Sequence, residues 1–378
     1  MKIISLTAEQ LAVPLITPYH LSREYGVFRT ATPVLVTMET DEGVTGYGEC
    51  DPWPLFTGDS ADSVMTVLLK HLFPMLLGAD PTNINEIHRL MDAVIRNQHI
   101  AKSAIDMAAY DVFGKKTGLH VSALLGGKRR DAMRCMWSIG GSTPAESAAD
   151  VLRAKEAGYF GCMIKVGGAD WKRDAERTLA VRDAVGPDFP LIADANQGWD
   201  VNTAIRYANA VKDADLVFFE QPLQSWDAEG MAKVRRSIPM PLSADEGVVT
   251  VVDAKRLIAA DAADVFSIKV TKMGGIRPAK QICEYAEAHG IRVFFNSMIE
   301  EGITEAASIA IAATVTNPVE EIGHAFFSPL RLHGDICDYY KYIHVSEGET
   351  WIPDKPGLGV VPDPEAIGKY LVRRETVR

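Results

Sequence analysis

The chain has 378 residues, 24% of them charged and 47% hydrophobic, with a formal net charge of −11. This is the balance of an ordinary globular protein, long enough for two domains or one elaborated barrel, and its negative charge argues against nucleic-acid or anionic-membrane partners. No uninterrupted apolar run reaches the roughly 18 residues of a membrane span, Met1-Lys2-Ile3-Ile4-Ser5 lacks a signal peptide's apolar core, and five scattered cysteines (Cys50, Cys135, Cys162, Cys283, Cys337) suggest reduced thiols in a cytoplasm.

Residues 1 to 50 read as an antiparallel meander. Extended runs at Ile3–Leu15 and Pro33–Glu39 are followed by the turn Asp41-Glu42-Gly43 and by Val44–Glu49. Between the first two, Thr17–Thr30 is polar and aromatic and reads as a loop. Cys50–Gly58, with two prolines and two large aromatics, reads as another. Ser60–Leu77, Ile84–Arg96 and Ile100–Thr117 repeat apolar residues at three-to-four spacing and predict helices. From Cys135 the pattern alternates. Strand-like runs at Cys135–Ile139, Cys162–Val166, Pro190–Ala193, Leu216–Phe219, Pro241–Ala244, Val265–Val270, Ile291–Phe295 and Val319–Gly323 are separated by helix-like segments. Eight such alternations predict a parallel α/β fold of barrel number. No GxGxxG or P-loop follows the first of these strands, which weighs against a nucleotide-binding doubly wound sheet. The last fifty or so residues break the alternation. They are too short to hold a core alone, so packing back on the N-terminal sheet is expected.

Lys165, Asp194, Glu220, Asp245 and Lys269 recur along the alternating region at intervals of 29, 26, 25 and 24 residues, about one strand plus one helix. Each ends or just follows an apolar run, so in a barrel all five converge on the C-terminal face. Three hard anionic oxygens without a nearby Cys or His favour Mg²⁺, with Mn²⁺ as the alternative. A cation also relieves the repulsion between three close carboxylates. The competing reading is that each acid caps the following helix, and that Lys165 and Lys269 are structural ion-pair lysines. Asn196, two residues past Asp194, points the same way on an extended backbone and is placed to bond a ligand or shape the next turn. Glu246 is expected to face the adjacent barrel position and pair with a lysine. A bound divalent ion and two flanking amines suit removal of a proton α to a carboxylate, where charge grows on the carboxylate oxygens.

In these residues the chain resembles the enolase superfamily, specifically the muconate-cycloisomerase-like branch of the mandelate racemase/muconate lactonizing enzyme family. The marks are Met163-Ile164-Lys165-Val166-Gly167, Asp194-Ala195-Asn196, Phe219-Glu220-Gln221-Pro222, Ala244-Asp245-Glu246 and Ile268-Lys269-Val270-Thr271-Lys272-Met273-Gly274-Gly275, with Pro356-Gly357-Leu358-Gly359 near the end. The resemblance implies a modified (β/α)₇β barrel with an α+β capping domain built from both chain ends. The division expected is residues 1–130 as cap, 131–330 as barrel and 331–378 as a segment returning to the cap. It implies Mg²⁺ on Asp194, Glu220 and Asp245, Lys165 and Lys269 as acid/base residues, and dimers to octamers. The activity implied is a racemase, epimerase or cycloisomerase of a small, partly apolar carboxylic acid, with a dehydratase or other lyase as the alternative and a catalytically silent barrel as a second.

Two departures matter. The branch usually carries Lys-x-Lys on the second strand, and Met163 stands where the first lysine would be. Gly323-His324-Ala325-Phe326-Phe327-Ser328-Pro329 lacks the Asp-x-Asp that dipeptide epimerases use and the Glu of muconate cycloisomerases. Glu300 and Glu301 fit either an added acid for elimination or, preferably, the cap of the next helix. Tyr19, Phe28, Trp53, Phe56, Asn296 and Met298 fall in segments expected to line the pocket, where the aromatics either meet substrate or tie the loops down.

Overall fold

The computed structural model describes residues 1–140 and 143–378. Alternating apolar residues near the N-terminus form strands with one buried face, β1 (Ile3–Leu11), β2 (Val13–His20), β3 (Val27–Ala31), β4 (Val34–Thr40) and β5 (Thr45–Cys50). The predicted single run Ile3–Leu15 breaks at Ala12, so that β1 and β2 belong to different sheets. Thr17–Thr30 is not a loop throughout. β2 and β3 pair antiparallel as a two-stranded ribbon, with Tyr19 opposite Phe28. The ribbon is hard to read because only Val13, Leu15 and Tyr19 of β2 are buried, and Ile16, Thr17 and Pro18 are exposed. Against the cap sheet lies the helix His99–Thr117, buried on nearly every side. Gly46 and Gly48 of β5 permit that approach. A Cβ on Gly48 would lie 1.9 Å from the Ala104 carbonyl oxygen.

The predicted helix Ser60–Leu77 is three pieces, Ala61–Val67, a π-helical turn Leu68–Leu72, and Phe73–Leu76. Pro74 offers no N–H to the carbonyl one turn back, and the wider turn absorbs the fault. After the short strand β6 (Ala132–Arg134) come seven parallel strands in sequential order: β7 (Trp137–Ile139), β8 (Cys162–Lys165), β9 (Leu191–Asp194), β10 (Phe219–Glu220), β11 (Leu242–Ala244), β12 (Val265–Ile268) and β13 (Arg292–Phe295). They are buried on both faces, as expected when helices cover the outside of a parallel sheet. The eighth run, Val319–Gly323, forms no strand. Isolated bridges, Val293 to Pro318 and Cys135 to His324, remain in its place. Pro318 cannot donate to a ladder, which accounts for part of the loss. The sheet is thus a curled seven-stranded half-barrel.

The C-terminal residues return to the cap as expected. Following β14 (Ile343–His344) and β15 (Glu349–Trp351), which extend β6, the strand β16 (Leu371–Val377) pairs antiparallel with β1. The cap sheet therefore runs β16-β1-β4-β5. The five cysteines are free and buried. Among the described residues no helix is long and apolar enough to cross a membrane.

Candidate active site

Parallel register brings the five marked residues together. Lys165 is the partner of Asp194, and Asp194 the partner of Glu220, across β8, β9 and β10. Asp245 and Lys269 each follow the last residue of their strands. Lys165 Nζ donates to Asp194 Oδ2 at 2.5 Å, and Lys269 Nζ to Asp245 Oδ2 at 2.6 Å. All five side chains are buried. Burial alone would lower the Lys165 ammonium, but Asp194, Tyr19 and Glu220 together outweigh it and hold the amine above its ordinary value. Burial pushes Asp245 up, yet Lys269 and Lys272 together hold it below the usual carboxylate range.

Glu220 differs from its neighbours. Among the described residues its oxygens bond only the Asn296 amide, at 3.4 Å to each, and no ammonium donates to them. Burial first, then the charges of Asp194 and Asp245, push its carboxyl well up. Among the described residues no three His, Cys, Asp or Glu side chains are gathered into a group that holds a metal as it stands. Asp194 and Asp245 are engaged by lysines instead. The donor set still fits a hard divalent ion: three buried carboxylates on successive strands, the middle one lacking a counter-charge that a cation would supply.

Asn196 serves Asp194 directly. Its backbone N–H donates to Oδ1 and its Nδ2 to Oδ2, both at 2.9 Å, from a left-handed backbone with φ of 39°. Glu246 does not pair with a lysine. Its Oε1 accepts from Tyr25 Oη at 2.9 Å and weakly from Asn196, because the β2–β3 connection reaches over that barrel position. Tyr19, Trp53, Phe56, Met163, Asn196, Asn296 and Met298 line one small cavity of about 30 Å³ with Lys165 and Lys269. Met163 lies two residues before Lys165 and faces the same way, so a thioether occupies the place of the branch's lysine. Trp53 and Phe56 line the cavity and also pack on Tyr25, while Phe28 packs on Trp53 outside the lining. Lys269 Nζ lies 4.2 Å from the Phe56 ring centroid.

Neither glutamate of the 300–301 pair caps the helix Gly302–Ala312. Glu301 holds the capping position without a side-chain bond, and Glu300 turns back to accept from Ser297 Oγ and from Met298 N. The cap comes from Glu49 of β5, which accepts from the N–H groups of Glu301 and Thr304 at 2.8 and 2.9 Å. Sequence reasoning also missed Lys272, whose Nζ bonds Asp245 Oδ1 at 2.8 Å, the Asp245 carbonyl at 2.6 Å and the Ser267 carbonyl at 3.1 Å. The available signal was a lysine one helical turn past Lys269 in an apolar stretch. Gln221 is a second miss. Its side-chain oxygen accepts from the N–H groups of Asp245 and Gly247 and so fixes the Asp245 turn.

Comparison with known proteins places the whole chain beside characterised relatives. Residues 3–126 match the mandelate racemase/muconate lactonizing enzyme N-terminal domain, and residues 146–366 the enolase C-terminal domain-like family. An N-succinyl-L-Arg/Lys racemase of Bacillus cereus is 32% identical over the whole of both chains, and its crystal structure superposes with a TM-score of 0.94 over all of both. Muconate cycloisomerase 1 of Rhodococcus opacus is 31% identical over 97% of this chain and 98% of its own. A dipeptide epimerase of Cytophaga hutchinsonii, solved with Mg and the dipeptide D-Ala-L-Val, is 29% identical, covers all of both chains and gives a TM-score of 0.93. The chain belongs to the enolase superfamily, in its mandelate racemase/muconate lactonizing enzyme family.

Proposed function

We propose that the protein is a Mg²⁺-dependent isomerase that moves a proton on or off the carbon α to the carboxylate of a small, partly apolar acid through an enediolate, as a racemase, epimerase or cycloisomerase. The observation that carries this reading is the pair of buried amines. Lys165 and Lys269 enter one cavity from β8 and from just past β12, each on a different carboxylate. Two amines reaching one small space from separate strands suit removal and return of a proton on opposite faces of a carbon. Asp194, Glu220 and Asp245 would hold the metal, and when bound it supplies positive charge for the carboxylate oxygens as the enediolate develops. Asn196 holds Asp194, Lys272 and Gln221 hold Asp245, and Asn296 steadies Glu220. Trp53, Phe56 and Tyr19 exclude water. At about 30 Å³ the cavity is far smaller than a substrate, so entry requires the Cys50–Gly58 segment or the β2–β3 ribbon to shift.

Elimination on the same scaffold is the alternative. The acid best placed in sequence for it, Glu300, does not line the cavity and is spent on Ser297 and Met298, which favours isomerisation. Five buried charged groups also cost stability, which argues against a silent scaffold. The test is ¹H NMR of candidate acids in D₂O with Mg²⁺. Lys165→Ala and Lys269→Ala should each cut turnover by about 10²-fold or more, while the remaining lysine still exchanges the α proton of one stereoisomer. Full turnover in either variant would overturn the two-base reading, and a keto-acid or alkene product would favour the lyase.

A further inference from the structure

The turn of the β2–β3 ribbon is bonded to the barrel mouth at several points. Gly26, with φ of 67°, closes the turn, where Leu21 N donates to the Gly26 carbonyl and Gly26 N to that of Ser22, both at 2.9 Å. Arg23 and Glu24 stand in solvent, while Ser22 and Tyr25 beside them are buried. Arg23 N donates to the Gly167 carbonyl at 3.3 Å, just past β8, and Ser22 Oγ to the Asn196 carbonyl at 3.1 Å, just past β9. Tyr25 Oη accepts from Gln197 Nε2 at 2.7 Å and donates to Glu246 Oε1 at 2.9 Å.

These contacts fall on the supports of the metal carboxylates. Asn196 bonds both oxygens of Asp194, and its Nδ2 also reaches Glu246 Oε1 at 3.4 Å. Glu246 directly follows Asp245. Asn196 and Gln197 both hold left-handed backbones, with φ of 39° and 64°, a conformation that persists only where the surroundings enforce it. Ser22 and Tyr25 supply part of that enforcement. Tyr25 stands outside the lining of the catalytic cavity, yet its ring lies 5.1 Å from Trp53 and 5.7 Å from Phe56, which do line it. One side chain thus touches the Cys50–Gly58 segment, the turn after Asp194 and the residue after Asp245.

We propose that Tyr25 is a latch, a positioning residue whose hydroxyl makes closure of the cavity's cover and ordering of the Asp194 and Asp245 carboxylates a single event. The proposal rests on the metal-dependent reading and deepens it. With the ribbon closed, Ser22 and Tyr25 fix Asn196-Gln197, Asn196 fixes Asp194, and Glu246 is held at the end of β11. With the ribbon lifted, Gln197 and Glu246 lose the hydroxyl, Asn196 loses Ser22, and Trp53 and Phe56 lose the ring they pack on. Tight binding of a divalent ion is then a property of the closed state. By linkage the ion must favour closure by the same factor by which closure favours the ion.

Trypsin and calorimetry read the two halves separately and without substrate. Arg23 and Arg29 are exposed on the ribbon, and cleavage after them, identified by mass spectrometry, follows the open population. In the wild type, saturating MgCl₂ should slow that cleavage about fivefold or more. Tyr25→Phe keeps the ring and removes only the hydroxyl. It should speed cleavage in the absence of Mg²⁺, weaken the Mg²⁺ Kd from isothermal titration about fivefold or more, and lose the protection. Faster cleavage with an unchanged Kd would make Tyr25 an anchor of the ribbon alone and overturn the proposal, as would a weaker Kd with unchanged cleavage. Should Tyr25→Phe fail to fold by circular dichroism, Ser22→Ala, which removes the bond to the Asn196 carbonyl, must give the same paired change, and anything less overturns the proposal. Wild-type protein that binds no Mg²⁺ would bring down the metal-dependent reading and the latch together, whereas equal binding by wild type and Tyr25→Phe would bring down the latch alone.

Discussion

Replacing Glu49 should loosen the joint between cap and barrel. Its carboxylate is fully buried and accepts the N–H groups of Glu301 and Thr304, while its carbonyl accepts from Thr304 Oγ1 at 3.3 Å. Glu49→Ala strands two buried N–H groups, at about 1–3 kcal/mol each. Opposing this is the cost of the carboxyl itself. Burial, with Asp335 and Glu300 adding repulsion, pushes it up to about 8 despite the two amides that pull it down. The net loss is on the order of 2–4 kcal/mol. Urea unfolding followed by tryptophan fluorescence reads it directly, and a loss under about 0.5 kcal/mol would refute the cap. The pH dependence supplies an independent sign. Between 4.5 and about 8 the folded carboxyl keeps a proton that the unfolded chain has lost, so its contribution is full below that window and disappears as pH rises through it. Glu49→Gln cannot titrate, and its stability should fall less steeply with pH, by up to about 1.4 kcal/mol per unit. An unchanged slope would show that Glu49 is not the group titrating.

Gly48→Ala should cost about 3 kcal/mol or more, because the new Cβ meets the Ala104 carbonyl oxygen at 1.9 Å and the Ala108 nitrogen at 2.7 Å, both backbone that cannot step aside. Unfolding at the wild-type urea midpoint would contradict the close approach of β5 to the helix behind it. His324 acts on the acid side. Burial, reinforced by Arg130 and Arg292, pulls its imidazole from 6.5 down to about 3, and Nδ1 accepts from Phe295 N at 3.0 Å. The folded ring stays neutral where the unfolded one takes a proton, so its contribution is full above 6.5 and declines towards pH 3, by up to about 1.4 kcal/mol per unit. His324→Asn keeps an acceptor and should flatten that acid limb in urea titrations. A limb as steep as the wild type's would assign the loss to other groups.

The legible parts of this chain share one property: their signal is local. Lys165, Asp194, Glu220, Asp245 and Lys269 stand out because each interrupts or ends an apolar run that must be buried, and a charge there needs a reason. The interval between them then carries the topology, since one strand and one helix return the chain to the same end of the sheet. Failures occur where a residue's environment comes from elsewhere in the chain. The β2–β3 ribbon is held by a few buried positions resting on the barrel, with Leu15 bridged to Leu332, so its own residues look like those of a loop. The eighth strand reads well by composition and is lost because its neighbours offer only single bridges. Glu300 and Glu301 stand in the right place for a cap, but Glu49, 255 residues before Thr304, takes that role from another sheet. Arg331 is the extreme case. Nothing in Ser328-Pro329-Leu330-Arg331 announces burial, and it is the rings of Tyr19 and Trp137, brought in from two other segments, together with Phe327 four residues before it, that make its charge conspicuous. The buried charged cluster is therefore written in short motifs, whereas the contacts that bury Arg331 lie mostly outside any motif.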